Sequence, residues 1–173
     1  GRPMRRCGTA TLWVLALSAG CVTSRPGRVH QFGSCLPQVQ GREIRCGGAV
    51  VAAIECYGRS ESSCRALAIR YADGNVAWLY QAHWFDPQRP ESAFDRDSPY
   101  EWASDVQITP DARYLWYRAD EENLTRWIEY DVQSGMQHPV DRFRIVQLRD
   151  TRYQGDLVRI RLFDPSLGEP DSG

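Results

Sequence analysis

The alternation of apolar and other residues over positions 76–84 is the feature that most constrains how this chain folds. In an extended chain, one face would carry only apolar residues, namely Val76, Trp78, Tyr80, Ala82 and Trp84. The opposite face would carry the polar residues Gln81 and His83. Because successive side chains of a strand point to opposite sides, this pattern predicts a half-buried β-strand.

Shorter runs of the same kind, separated by turn-forming residues, occur elsewhere in the chain. They predict further strands at residues 67–71, 113–118, 124–130, 143–146 and 158–162. Asp73-Gly74, which precedes the strand at 76–84, is a typical hairpin turn. The chain is therefore predicted to be all-β, an antiparallel meander arranged as a small sandwich or as incomplete blade-like sheets.

Two segments depart from this pattern. Residues 47–54 fit either a buried strand or a short helix, and we favour a strand. Residues 87–104 are rich in Pro, Asp, Arg and Ser, which predicts a long surface loop. The expected organisation is one β-rich domain at residues 35–165, followed by a disordered tail at 166–173.

The N-terminal segment predicts export from the cytoplasm. Arg5 and Arg6 precede an uncharged stretch at residues 7–19. That stretch is shorter than the ~20 apolar residues that a membrane-spanning helix needs. A basic start, a short apolar helix and small residues at its end are typical of a secretory signal peptide, here residues 1–20, which is then cleaved.

The sequence Leu17-Ser18-Ala19-Gly20-Cys21 resembles the lipobox of bacterial lipoproteins, in which small residues precede an obligatory cysteine. The resemblance implies cleavage after Gly20 and a lipid on Cys21, so that the membrane is one partner of the chain. Because Val22 follows, the family rule implies the outer membrane, with the domain in the periplasm or at the cell surface. An ordinary signal peptide cut elsewhere is the alternative.

Residues 21–34 are polar and contain Pro and Gly, which predicts a lipidated, flexible tether. Two or more acyl chains would hold such a tether stably on a membrane. Beyond Cys21 the remaining cysteines are Cys35, Cys46, Cys56 and Cys64. An even number outside the cytoplasm predicts two disulfides, and we favour Cys35–Cys46 and Cys56–Cys64 because each pair brackets a short polar loop. A zinc site is the alternative, although the usual close spacing of zinc ligands is missing.

Residues 108–117 and 130–135 resemble one blade of a TolB- or WD-like β-propeller. The shared features are a Pro110-Asp111 turn, an aromatic strand after it and a closing Asp131-x-x-x-Gly135 turn, with Ala112 where the family has Gly. A closed propeller needs at least four blades of ~40–45 residues, more than this domain holds. The resemblance therefore implies blade-like sheets.

The residue content excludes several classes of function. All 21 basic residues are arginine, and the chain after Cys21 has 18 of them against 22 acidic residues, so we expect no nucleic-acid partner. Motifs of hydrolases, metalloproteases and phosphate-binding loops are missing from the sequence. His30, His83 and His138 are too scattered to predict a metal site. We therefore expect a non-enzymatic protein with neither cofactor nor metal.

Aromatic residues are the remaining candidates for a functional surface. Five of the six tryptophans fall between residues 78 and 127. Trp and Tyr are common both in cores and in surfaces that bind proteins or sugars. The candidates for a binding surface are Trp102 in the predicted loop, Trp116, Tyr117 and His83. They leave two hypotheses: an interaction or assembly module for an envelope protein, which we favour, or a polysaccharide- or peptidoglycan-binding lipoprotein.

Overall fold

Two antiparallel sheets form the body of the protein. The computed structural model describes residues 32–58, 63–96 and 100–162. The strands are β1, Gln38–Gln40; β2, Glu43–Cys46; β3, Ala49–Tyr57; β4, Ser63–Cys64; β5, Ala66–Tyr71; β6, Val76–Gln81; β7, Glu101–Ile108; β8, Tyr114–Glu121; β9, Leu124–Asp131; β10, Gln137–Val140; and β11, Val158–Arg159. A short 3₁₀ helix spans Pro90–Phe94, and an α-helix, α1, spans Arg142–Thr151.

The predicted all-β fold is confirmed. The first sheet has the order β1-β2-β3-β5-β6, and the second has the order β10-β9-β8-β7-β11, with β4 also paired to β7. Both sheets contribute to one hydrophobic core, in which Ile54 and Ile69 of the first sheet are buried together with Ile108 and Leu115 of the second. Burial of this shared apolar face is the main force that holds the sheets together.

Three of the predicted local structures are confirmed. Residues 47–54 are a strand, since they fall largely in β3. Asp73-Gly74 joins the hairpin of β5 and β6, where Gly74 has a φ of 86° and the Asp73 carboxylate accepts from the Asn75 amide at 2.9 Å. The predicted strands at 113–118 and 124–130 fall in β8 and β9, which pair with each other along their full lengths.

The alternation in β6 is broken by a β-bulge. Leu67 lies opposite Tyr80 and Ala68 lies opposite Trp78, so that Leu79 is an extra residue in the ladder. Beyond an extra residue, side chains that would have pointed to one face of the sheet point to the other face. Tyr80 therefore packs in the main core, whereas Trp78 packs in a second cluster on the other face of the sheet.

The predicted strand at 143–146 is wrong, because these residues belong to helix α1. The carboxylate of Asp141 caps the helix by accepting from the Phe143 amide at 2.9 Å. Ile145 is the buried residue of this helix. Strand β11, which falls in the predicted strand at 158–162, pairs with β7.

The predicted long loop at 87–104 is also wrong in part. The 3₁₀ helix occupies Pro90–Phe94, and β7 begins at Glu101. Trp102 therefore lies in β7, opposite Asp120 of β8, and not in a loop. The charged and Pro-rich composition that predicted a loop belongs to the short helix and the turns around it.

One of the two predicted disulfides is confirmed, since Cys35 and Cys46 are bonded. The predicted Cys56–Cys64 disulfide is wrong, because both residues are free thiols. Cys56 lies in the first sheet and donates to the Ser63 carbonyl, whereas Cys64 lies in β4 and donates to the Ala103 carbonyl of the second sheet. Burial raises the pKa of the Cys64 thiol well above its usual value, and the neighbouring Cys56 adds to the shift.

The ends of the described chain touch the core. Phe32, which falls within the predicted tether at 21–34, packs against the core, and Leu162 near the other end is buried. The domain therefore begins at least three residues before position 35. The predicted signal peptide at 1–20, Cys21 and the predicted tail at 166–173 lie outside the described residues. Within the described segments, none of the helices combines the length and apolar character needed to cross a membrane.

The segment that resembles a propeller blade forms two linked turns. Ala112 has a φ of 54°, the left-handed conformation that glycine adopts most readily, which explains why the pattern has Gly there. The Arg113 guanidinium donates to the Asp131 carboxylate at 3.0 Å. The Val132 amide donates to the Arg113 carbonyl at 2.9 Å. This turn chemistry joins the ends of β8 and β9.

Candidate functional site

Two of the four aromatic and histidine candidates are not on the surface. Trp116 has 0% of its area exposed and Tyr117 has 2%, so the prediction that they form a binding surface is wrong. Both belong to the central strand β8, which is covered on both faces. His83, by contrast, keeps 67% of its side chain exposed, and Trp102 is half-buried.

The structure brings His83 and Trp102 into one surface, together with residues that the sequence analysis did not select. We call it the aromatic–arginine surface, and its residues are Arg65, His83, Trp84, Arg96, Glu101 and Trp102. Arg65 lies between β4 and β5, where the chain passes from the second sheet to the first. Trp84 lies in the turn after β6, and Glu101 and Trp102 begin β7.

Arg65 joins the two tryptophans of this surface. Its guanidinium lies 5.9 Å from the ring centroid of Trp84 and 5.5 Å from that of Trp102. The same guanidinium donates to the Glu101 carbonyl at 2.8 Å. A cation held over an aromatic face is attracted by its electrons, so Arg65 fixes the relative position of both rings. Arg96, at 5.9 Å, is a second cation beside the Trp84 ring.

Glu101 ties His83 to the same surface. One carboxylate oxygen accepts from the His83 backbone amide at 2.8 Å, and the other lies 2.5 Å from Nδ1 of the imidazole. The His83 ring also makes an edge-on contact with Trp84, with 5.0 Å between ring centroids. The imidazole is therefore held in place although most of it faces solvent.

Trp102 is anchored at its polar end. Its indole N–H donates to the Asp120 carboxylate at 2.9 Å. Burial by itself raises the pKa of Asp120, but hydrogen bonds from Thr125, Arg118 and Trp102 outweigh that effect, and the pKa lies below its usual value. Asp120 is therefore a carboxylate at neutral pH and a firm acceptor for the indole.

The 3₁₀ helix at one side of this surface packs closely on Gly58. A Cβ atom at Gly58 would lie 2.6 Å from the Ala93 carbonyl oxygen, so this position needs glycine. The chain from this helix to β7 carries two exposed aromatic side chains, Phe94 at 70% and Tyr100 at 57%. Single exposed aromatics are ordinary, but two beside a Trp and Arg cluster extend the surface available to a partner.

A cleft of about 350 Å³ opens between the edge strands β6 and β10 and is lined by Tyr80 and Tyr117. The Tyr117 hydroxyl donates to the Leu79 carbonyl at 2.7 Å and so links the two sheets. Burial raises the pKa of both tyrosines, which keeps them neutral. The hydrogen bond from Tyr117 therefore contributes to the packing of the two sheets.

A buried ion pair lies where α1 covers the outer face of the second sheet. Glu129 is only 2% exposed and accepts from the Arg144 guanidinium at 2.9 Å and from the Trp116 indole at 3.0 Å. Burial by itself raises the pKa of Glu129, but the hydrogen bonds from Arg144 and Trp116 outweigh it and lower the pKa. The Glu129 carboxylate thus satisfies the indole N–H of buried Trp116.

The aromatic–arginine surface presents groups that a partner could contact. In the described parts of the chain, no cluster of three or more His, Cys, Asp or Glu side chains could hold a metal ion. The aromatic–arginine surface combines cations, aromatic rings and a histidine–carboxylate pair, which are contact groups for a partner. Sequence reasoning missed Arg65 and Glu101 because a lone arginine and a lone glutamate carry no local pattern. Their proximity to Trp102 and His83 follows only from the crossing between the sheets.

The chain matches none of the protein-family models, curated proteins or solved structures with which it was compared.

Proposed function

We propose that this chain is a non-enzymatic lipoprotein of a bacterial cell envelope, anchored to the outer membrane through lipid on Cys21, whose β-domain binds another envelope protein. The basic, apolar leader that ends in Ala19-Gly20-Cys21 supports export and lipidation. The Cys35–Cys46 disulfide is in keeping with an oxidising compartment outside the cytoplasm.

The aromatic–arginine surface is the proposed contact site. Trp, Tyr and Arg dominate the residues that contribute most of the binding energy in protein interfaces. Here the Arg65 guanidinium between Trp84 and Trp102, beside exposed His83, is the observation that carries the proposal. Because Arg65 holds both rings in place, little side-chain entropy is lost when a partner binds.

A protein partner is favoured over a glycan by the surroundings of the rings. A sugar stacks on an open aromatic face, whereas two guanidinium groups lie within 6 Å of the Trp84 centroid. Trp102 has Arg65 over its ring as well. Peptidoglycan remains the second candidate, because its carboxylates offer partners for Arg65 and Arg96.

Capture of partners from envelope membranes tests the contact site. The tagged full chain in neutral detergent is compared with His83→Ala/Arg96→Ala and with the control His138→Ala/Arg161→Ala, which removes one exposed histidine and one exposed arginine elsewhere. We expect a discrete protein partner to be retained by the wild type and the control and reduced at least about tenfold by the first variant. Equal capture by all three would refute the site.

A parallel sedimentation assay with protein-free peptidoglycan separates the two candidates. Under the favoured proposal the chain stays in the supernatant. Cosedimentation that His83→Ala/Arg96→Ala abolishes would replace the protein partner with the glycan.

Metabolic labelling tests the anchor. Cells that express the chain and grow with radiolabelled palmitate should label the wild type and leave Cys21→Ser unlabelled, and only the wild type should fractionate with membranes. Absence of label from the wild type would contradict the proposed lipoprotein identity, whatever the capture assay shows.

A further inference from the structure

A small polar cavity lies between helix α1 and the outer face of the second sheet. Its volume is about 160 Å³, and three arginines line it, Arg142 and Arg149 of α1 and Arg159 of β11. Trp127 of β9 and Ile145 of α1 contribute apolar wall. We call this space the arginine cavity.

The charges around the cavity are unbalanced. Asp105 is the one acidic residue among its described lining residues, and it already pairs with Arg118 at 3.1 Å. Arg149 pairs with Asp150 at 2.9 Å. Arg142 and Arg159 are exposed, and their guanidinium groups have neither an ion-pair partner nor a hydrogen-bond partner among the residues that the structure describes, although both line the same space. Two positive charges therefore face one small volume without a counter-charge.

The fold holds these groups in place from three elements. A β-bulge in β7 between Ser104 and Gln107 turns the Asp105 side chain toward the cavity, and Asp105 has a φ of 51°. Arg159 lies opposite Gln107 on the neighbouring strand. Helix α1 is fixed over the sheet by the ion pair between Arg144 and buried Glu129. Backbone pairing and the Arg144–Glu129 contact thus hold most of the cavity wall, and Leu157, just before β11, completes it.

We propose that the arginine cavity binds a single phosphate group, either as the free anion or at the end of a phosphate ester. A phosphate group carries about 1.5–2 negative charges at pH 7, whereas a carboxylate ligand would carry one. The phosphate charge is therefore the better match for the two guanidinium groups that lack a counter-charge. Planar guanidinium groups donate paired hydrogen bonds to phosphate oxygens. The volume lies below the ~300 Å³ at which pockets for whole drug-sized ligands begin, so it suits one group and not a polymer. This site is separate from the aromatic–arginine surface, and its test does not depend on the proposed function.

Calorimetric titration of the full chain in neutral detergent, in a buffer free of phosphate and sulfate, tests the site. Inorganic phosphate and glycerol 3-phosphate are the probes, and at least one should bind with a dissociation constant of about 1 mM or lower. Binding of inorganic phosphate supports the proposal with the free anion as a sufficient ligand. Binding of glycerol 3-phosphate alone supports it with an ester as the ligand. No binding of either probe overturns it.

A matched pair of double variants separates this site from general attraction between opposite charges. Arg142→Gln/Arg159→Gln should weaken binding at least about tenfold. Arg152→Gln/Arg161→Gln removes the same charge from exposed positions that do not line the cavity, and it should leave the affinity within about twofold. Equal weakening by both pairs overturns the proposal.

Asp105→Asn is expected to strengthen phosphate binding, and this test stays informative if the arginine variants do not fold. Asn tolerates the left-handed conformation of this position as Asp does. Removal of the carboxylate should tighten phosphate binding by about threefold or more, since it removes the negative charge of the cavity wall. Weaker binding by this variant would contradict a site built on positive charge.

Discussion

The aromatic–arginine surface and the α1-covered face of the second sheet use arginine in different ways. At the surface, Arg65 and Arg96 lie over tryptophan rings. Beneath α1, Arg144 pairs with a carboxylate that is 2% exposed, and Arg142 and Arg159 line a cavity without a counter-charge. The same residue type thus braces aromatic rings in the first region, whereas in the second it pairs with a buried carboxylate and lines a cavity.

The largest expected effect is on the α1-covered face. Glu129→Ala leaves the Trp116 indole and the Arg144 guanidinium without their shared acceptor, and should lower the free energy of unfolding by about 2–3 kcal/mol. Urea denaturation measures it. The control Glu121→Ala breaks an exposed pair with Arg126 and should cost less than about 1 kcal/mol. Similar losses in both variants would show that the buried pair is no more important than a surface pair.

The ion pair between Glu129 and Arg144 should also make the free energy of unfolding depend on pH. Because the folded pKa of Glu129 is lowered, its contribution is fully present above the ordinary carboxyl pKa of about 4.3 and is lost as pH falls through the folded value. The stability difference between wild type and Glu129→Gln should therefore shrink below about pH 4, when it is measured in the His138→Ala background to remove the imidazole that lies 3.5 Å from the Glu129 carboxylate. Denaturation at stepped pH values measures it, and a difference that grows on acidification would reverse the sign and contradict the assigned ion pair.

An intermediate effect is expected at the edge of the aromatic–arginine surface. Gly58→Ala combines a φ of +60° with a Cβ 2.6 Å from the Ala93 carbonyl oxygen and should cost about 2 kcal/mol. Gly74→Ala has a similar φ of +86° with open space around it, so it should cost only about 1 kcal/mol. Thermal denaturation of both variants measures how much stability is lost because the 3₁₀ helix lies so close to Gly58. Equal losses of stability in the two variants would argue against this close contact.

The smallest effect is expected within the surface itself. Arg65→Gln removes a cation from two tryptophan rings and should cost about 1 kcal/mol in stability, whereas Arg96→Gln, which touches one ring, should cost about half as much. Denaturation monitored by tryptophan fluorescence measures both variants. A loss at Arg65 as large as that of Glu129→Ala would mean that this surface is part of the core and not a contact site.

The strands were predictable where the alternation of apolar residues and the turn-forming residues indicated the same structure. The Asp73-Gly74 turn and the runs beside it specified the hairpin of β5 and β6, because period-two alternation and hairpin chemistry are both local. The prediction of a strand at 143–146 was wrong because alternating Arg and apolar residues fit a strand as well as a helix. The Asp141 carboxylate, which caps the first turn, decides in favour of the helix.

The candidate site was predictable only in part. His83 and Trp102 were selected from the sequence, but Trp116 and Tyr117 were not separable from them, since burial of a central strand depends on what packs on both faces. The bulge at Leu79 is a shift of register within a local hairpin, which the alternation of residues does not report. The free thiol of Cys64 depends on the pairing of β4 with β7, strands that are distant in sequence. The arginine cavity joins residues of β7, β9, β11 and α1, a combination that no local pattern reports.

Site-specific photo-crosslinking in living cells tests most directly whether the aromatic–arginine surface meets a partner. A photoreactive residue replaces His83 in one strain and Arg152, an exposed position after α1, in another. The account predicts a discrete crosslinked protein adduct from position 83 and none from position 152. An adduct from position 152 alone, or none from position 83 at equal expression, would contradict it.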